Sequence, residues 1–320
     1  MASKSTDIFL GVDVGSVTTK MVALEAKSLD LLDSLYVRTH GNPLEPMRKV
    51  MKRLAGTRPL PSVVASAATG SGRTLAARLM NTQIIKNEIT THTLAAVKIL
   101  PEVRTIVEIG GQDSKIIIVE GGMAVDFAMN TVCAAGTGSF LDQQSGRLGI
   151  KVEDMGDLAL SADHAATISG RCTVFAETDM IHKQQVGIPM NEIVAGLCRS
   201  LARNYLATVA KGKPMRPPIV FQGGVAANNG IVAQFEKQTG FEFRVSPYYG
   251  VAGAYGAALL ASMVEGEQPA FQGFDLLEKE HRIDSFVCKK CEEVCSVLRL
   301  YRDGKPVTFW NDRCGMYSSG

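Results

Sequence analysis

The seven cysteines of this chain of 320 residues fall into two kinds of setting. Four stand near the C-terminus: "CKKCEEVC" places Cys288, Cys291 and Cys295 as C-x2-C-x3-C, and Cys314 follows after eighteen more residues. That spacing suits a small closed Zn2+ knuckle or an iron–sulfur cluster. Cys133 and Cys172 differ, because each stands directly ahead of a run that reads as a helix, "AAGTGSFLDQQSGRL" and "TVFAETDMIHKQ". A helix N-terminus carries partial positive charge and lowers a thiol's pKa, so a thiolate there is placed to join an anionic ligand set. Two sulfurs do not complete a four-thiolate site, but two chains on a two-fold axis supply two each, and a [4Fe–4S] cluster takes four. Spacing alone leaves it equally open that these are two unrelated core thiols. Cys198 lies beside the apolar stripe of a long helix and reads as a small buried thiol.

Three glycine turns could receive phosphate. "DVGSVTTK" ends an apolar run with Asp13 and turns through Gly15, Ser16, Val17, Thr18 and Thr19 to Lys20. Its N–H groups and hydroxyls suit phosphate oxygens, and Asp13 suits Mg2+ held through water. "EIGGQDSK" repeats the design with Glu108, Gly110, Gly111, Gln112 and Asp113. "QGGVAANNG" is a third, with Gly223, Gly224, Val225, Ala226 and Asn228, and Gly136 in "AAGTG" opens a helix of similar character. A single strand–Gly turn is more often an ordinary tight turn; three in this order point to ATP.

The elements that must position these residues occur twice. "IFLGVDVG", "KMVALEA" and "DLLDSLYVRT" read as three strands, "PLEPMRKVMKRLAG" as a helix with Met47, Val50, Met51 and Leu54 on one face, and "SVVASAATG" as a further strand. The span 105–130 again gives strand, glycine turn, strand, turn, strand, followed by a helix and by strands at "PIVFQGG" and "FRVSP". Helix 191–210 carries Val194, Leu197, Leu201, Tyr205 and Val209 on one stripe, and "GVAGAYGAALLASMV" is an Ala/Gly helix built for close packing. Two copies of β-β-β-α-β imply an α/β protein with two related lobes facing a nucleotide cleft.

Hydrophobic residues make up 46% and charged residues 21%, and the net charge is +2, so charge gives no argument for nucleic acid or a membrane surface. No run of about 18 uncharged apolar residues is present and no signal peptide is visible, so the expected location is the cytoplasm, where thiols stay reduced.

"GVDVGSVTTK", "VEIGGQDSK", "NTVCAAGTGSFLD", "SGRCTVFAE" and "GGVAANNG", in this order, resemble the activator family of 2-hydroxyacyl-CoA dehydratases and benzoyl-CoA reductases, which includes the reductases of double-cubane cluster proteins. The resemblance covers residues 7–264, about four-fifths of the chain. It implies two actin-like (ribonuclease H-like) lobes, lobe I over about 7–90 plus 247–265 and lobe II over about 91–246, within an ATPase domain of residues 1–270. It also implies a homodimer holding one [4Fe–4S] cluster through Cys133 and Cys172, reduced by ferredoxin or flavodoxin. ATP hydrolysis to ADP would then drive one electron into an iron–sulfur acceptor enzyme. Asp13, Glu108, Gln112 and Asp113 would be the catalytic set, with Gln112 orienting water. Many relatives have Asp where Glu108 stands, which shifts part of the Mg2+ contact to Asp113.

Residues 285–320 depart from the pattern as a Cys-rich appendix, expected to hold Zn2+ or a second Fe–S cluster, with Phe309 and Trp310 packing it. His92 is expected to make structural hydrogen bonds. A sugar or acyl kinase of the same fold, or an ATP-gated regulatory module with a zinc knuckle, are the competing readings; the first leaves Cys133 and Cys172 without a role.

Overall fold

The computed structural model describes residues 6–57, 59–130 and 133–318. The chain divides into two compact units, residues 1–86 with 257–320 and residues 87–256.

The first unit opens with β1 (Asp7–Val14), β2 (Thr18–Glu25) and β3 (Leu31–Arg38), a run of antiparallel neighbours in which Asp13 pairs in register with Lys20. After α1 (Leu44–Ala55), β4 (Ser62–Thr69) lies parallel to β1; α2 (Arg73–Met80) and the short β5 (Ile84–Ile85) follow. The sheet order is β3-β2-β1-β4-β5. β1 and β2 are buried nearly throughout, as expected of central strands, whereas β3 alternates half-buried and exposed. Met47, Val50, Met51 and Leu54 of α1 pack with Ile8, Leu10, Val12 and Val14 of β1 in one core.

The second unit starts with α3 (Glu88–Ile99), capped by Asn87, whose Oδ1 accepts the Thr90 N–H at 2.9 Å. β6 (Thr105–Ile109), β7 (Ser114–Glu120) and β8 (Met123–Asn130) are antiparallel neighbours with Glu108 opposite Lys115. Then come α4 (Gly138–Leu148), α5 (Met155–Leu160), α6 (Thr173–Gln185), α7 (Met190–Thr208), β9 (Ile219–Gln222), α8 (Asn229–Thr239) and β10 (Phe243–Val245). The order β10-β9-β6-β7-β8 repeats the first sheet's connectivity strand for strand. α7 delivers Val194, Leu197, Leu201 and Tyr205 to the core, where Tyr205 meets Phe235 edge-on at 5.3 Å. α9 (Ala252–Ser262) is the Ala/Gly helix.

The tail is no detached appendix. α10 (Asp275–Glu278) leads to an antiparallel sheet of β11 (His281–Val287), β12 (Ser296–Arg302) and β13 (Lys305–Trp310). Leu276, Leu300 and Trp310 join the first unit's core beside Leu44 and Met47. Trp310 therefore does not pack the cysteines: successive strand residues face opposite ways, so Phe309 goes to the cysteine side and Trp310 to the core.

Candidate functional site

In the first unit the β1–β2 turn closes by Gly15 N–H donating to Thr18 O at 2.9 Å, and Thr39 Oγ1 donates to Gly15 O at 3.1 Å. Lys20 Nζ donates to Asp13 Oδ2 at 3.1 Å. Asp13 is buried, and its other oxygen, Oδ1, finds no hydrogen-bond partner among the described residues. The turn after β4 is bonded to the same place, with Gly72 N–H on Val14 O at 2.7 Å. A Cβ on Gly70, which has φ +90°, would lie 2.5 Å from Asp13 Oδ1, so only glycine lets that turn pass. Ser16 is exposed and Val17 half-buried, while Thr18 and Thr19 are buried, the Thr19 hydroxyl lying 3.2 Å from that of Thr39.

The second unit repeats the turn, with Gly110 N–H on Asp113 O at 3.0 Å. Here the lysine is enclosed: Lys115 Nζ meets Glu88 Oε2 at 2.8 Å, Glu108 Oε2 at 2.9 Å and Asp113 Oδ2 at 2.9 Å. Burial by itself would lower the Lys115 ammonium, but the carboxylates of Glu108, Glu88 and Asp113 hold its pKa well above the usual value. Burial pushes the Glu108 carboxyl up, against the pull of Lys115 and His92. His92 Nδ1 lies 2.7 Å from Gln222 Oε1, the structural bond expected of it. Gln222 sits in register beside Glu108, and its Nε2 is buried without a partner among the described residues. Gly110, Gly111 and Asp113 are half-buried and Gln112 is exposed at the tip.

The third turn is tied to the second. Gly223, at φ +88°, sits so close that a Cβ would fall 2.8 Å from Glu108 Oε1. Gly224 is exposed; Val225 and Ala226 are buried. Asn228 caps α8, its Oδ1 accepting the Ile231 N–H at 3.0 Å, and its buried Nδ2 has no partner among the described residues.

The start of α4 is already used inside the protein. Gly138 N–H donates to Gly110 O at 2.8 Å and Ser139 N–H to Gly111 O at 2.8 Å, while Ser139 Oγ donates to the same Gly111 O at 2.6 Å. The helix that looks from sequence like a phosphate receiver is capped by the carbonyls of the β6–β7 turn. Gly136 is buried, and a Cβ there would lie 2.9 Å from Asn204 Oδ1, so its role is close packing.

Cys133 and Cys172 are half-buried, and each is the N-cap residue of the turn or helix that follows, in extended backbone without a side-chain cap bond. Asn130 clamps Cys133: Oδ1 accepts its N–H at 2.9 Å and Nδ2 donates to its carbonyl at 2.7 Å. Asn204 of α7 joins the two segments, donating from Nδ2 to Gly170 O at 2.9 Å and Arg171 O at 3.1 Å while its Oδ1 abuts Gly136. Glu177 of α6 then ties back to α4 through Gln143 Nε2 at 3.1 Å and Arg147 Nη2 at 2.9 Å. Val174 and Phe175, just past Cys172, are exposed.

In the tail, Cys288 N–H donates to Cys295 O at 2.8 Å, and Arg313 N–H, one residue ahead of Cys314, donates to Cys295 Sγ at 3.4 Å. Cys288 and Cys295 are buried in a small cluster with Val297, and Cys291 and Cys314 are exposed. Among the described residues no three His, Cys, Asp or Glu side chains group so as to hold a metal ion. No chemistry is derived through the tail cysteines. Lys115, Glu88 and Asn204 are positions that the motifs alone do not single out. A signal for Lys115 is nonetheless present: Glu108 and Lys115 have the same separation as Asp13 and Lys20.

Two sheets of one topology, each opening on an acid–glycine–lysine hairpin, define an actin-like ATPase. The chain belongs to the BadF/BadG/BcrA/BcrD ATPase family, whose model matches residues 10–261. It is 36% identical over 253 residues to the (R)-2-hydroxyglutaryl-CoA dehydratase activating ATPase of Acidaminococcus fermentans, covering 79% of this chain and 96% of that one. It is 32% identical over 203 residues to a component of the benzoyl-CoA reductase of Thauera aromatica, covering 60% of this chain and 69% of that one. The activator of the 2-hydroxyisocaproyl-CoA dehydratase from Clostridium difficile, solved with bound ADPNP, superimposes with a TM-score of 0.72 at 31% identity over 80% of this chain and 94% of that one. No helix among the described residues is long and apolar enough to cross a membrane.

Proposed function

We propose that this chain couples ATP hydrolysis to the one-electron reduction of a partner iron–sulfur enzyme. It would act as a homodimer in which Cys133 and Cys172 of each protomer hold one [4Fe–4S] cluster. The donor set fits: two half-buried thiols per chain, each at an N-cap without a side-chain cap bond. When bound, the cluster supplies low-potential one-electron transfer. A ferredoxin or flavodoxin is the donor, and the relatives' names point to a CoA-ester dehydratase or aromatic-ring reductase as acceptor, with a double-cubane cluster protein as a third member of that class.

The residues divide the work. Asp13 keeps a buried oxygen for hydrated Mg2+, the turns at Gly15–Lys20 and Gly110–Asp113 take the phosphates, and exposed Gln112 orients the attacking water. One observation carries the coupling: the carbonyls of Gly110 and Gly111 hold the N-terminus of α4, immediately after the Cys133 segment. A turn that moves when the phosphate leaves pulls that helix, and through Glu177 it pulls the helix behind Cys172. Exposed Val174 and Phe175 supply an apolar apron for the second copy.

Anaerobic purification tests this. Brown dimeric protein with about four irons per dimer is expected, lost in Cys133→Ala and in Cys172→Ala. Retention of the iron in both variants, or a colourless monomer with full ATPase activity, overturns it.

A further inference from the structure

The tail sheet and the first unit's helices line an open cavity of about 910 Å3, whose walls include none of the residues Gly15–Lys20. Its wall joins the start of α1, the β4–α2 turn and the first residues of α2 to His281–Ile283, Leu298, Trp310 and Asn311. The tail's share of that wall lies beyond residue 261, where the family match ends, so this part of the cavity is supplied by the tail.

The lining includes Arg48, Arg73, Arg282 and His281, and neither Asp nor Glu. Arg48 pairs with Glu45 at 2.6 Å and Arg282 with Asp284 at 3.2 Å, both carboxylates standing outside the lining. Arg73 Nη1 donates to Gly70 O at 3.0 Å, and among the described residues no carboxylate pairs with it. That leaves a surplus guanidinium at the mouth of α2, whose N-cap is Gly72 with no side-chain cap bond. Desolvation lowers the His281 pKa, and its Nδ1 lies 3.0 Å from Lys279 O. The lining also includes the apolar side chains of Leu44, Leu75, Ile283, Leu298 and Trp310.

Guanidinium forks match phosphate or carboxylate oxygens in two-point contact, and an indole face takes a flat ring. We propose that this cavity is a binding site for a small organic anion that joins a phosphate or carboxylate to a flat apolar ring. The anionic end meets Arg73 and Arg282, and the ring lies against Trp310. The inference does not depend on the thiols or on the electron-transfer reading.

Trp310 is the only tryptophan, so intrinsic fluorescence reports on this cavity directly. The full chain, its nucleotide turns saturated with Mg-ADP, is titrated with phenyl phosphate, inorganic phosphate and phenol. Phenyl phosphate is expected to change Trp310 emission saturably, with each half-molecule binding about tenfold or more weakly. Arg73→Ala and Arg282→Ala are each expected to weaken phenyl phosphate by about tenfold. Arg282 is exposed on a strand, so its variant keeps the fold. No saturable change, equal binding of phenol and phenyl phosphate, or unaltered affinity in both variants overturns the proposal.

Discussion

The β1–β2 and β6–β7 hairpins share a turn and a register, and they differ in what surrounds the lysine. Each turn closes from a glycine N–H to a carbonyl three residues on, and each pairs an acid with a lysine across the strands. Lys20 is 18% exposed and meets Asp13 at 3.1 Å. Lys115 is 2% exposed and meets three carboxylates within 2.9 Å. The first hairpin keeps a carboxylate oxygen without a donor among the described residues, and in the second three carboxylates share one ammonium. One copy of the repeat holds its lysine at a single acid, and the other encloses it among three while the turn's carbonyls hold α4.

The largest expected effect breaks that contrast at the lysines. Lys115→Met leaves Glu108, Glu88 and Asp113 crowded in a buried site without their cation, and removing one partner from such a network costs about 3–5 kcal/mol. Lys20→Met strips the cation from one buried carboxylate rather than from three, leaving Asp13 unpaired at a smaller cost of about 1–3 kcal/mol. Urea unfolding of both variants measures the difference. Equal losses would mean that the two hairpins are energetically alike, and the contrast would be gone.

The acids give the next effect. Asp13→Asn keeps the shape and removes the charge that the free oxygen offers, so folding stability changes little while kcat for ATP hydrolysis falls by about a hundredfold. Steady-state ATPase assays across a Mg2+ series check this. A variant that hydrolyses ATP normally at low Mg2+ would assign the cation elsewhere, Glu108 and Asp113 being the remaining acids.

Much of this is legible in the chain, and the failures have physical causes. The strand–turn–strand repeats are readable because central strands are continuous apolar runs that stop at glycine, as Ile8–Gly15 and Thr105–Gly110 do. The tail sheet is not, because β12 and β13 carry Arg299, Arg302, Lys305 and Pro306 among their apolar residues, and the cysteine spacing points to metal chemistry instead. The use of the α4 N-terminus is invisible for another reason: its acceptors are backbone carbonyls of Gly110 and Gly111, and a carbonyl leaves no mark in a residue pattern. Asn204 is hidden likewise, as a polar residue inside a long helix whose partners are the main chain at Gly170 and Arg171.

The smallest effect is read at a thiol in the second unit. Cys198 on α7 is fully enclosed, and burial pushes its pKa up to about 12. Alkylation needs the thiolate, so at pH 8 only about one molecule in ten thousand is reactive even before access is considered. Raising the pH toward the shifted value increases that fraction; lowering it does the reverse. Further along α7, Tyr205 Oη donates to Lys115 O at 2.8 Å, so the helix bearing Cys198 is bonded to the second hairpin. Iodoacetamide at pH 8 is therefore expected to spare Cys198 in the native protein and in Lys20→Met. Labelling should become measurable in Lys115→Met, where loosening β7 frees α7. Mass spectrometry of tryptic peptides reads the outcome, and labelling of Cys198 to the same extent in all three proteins would show that the second hairpin does not brace this helix.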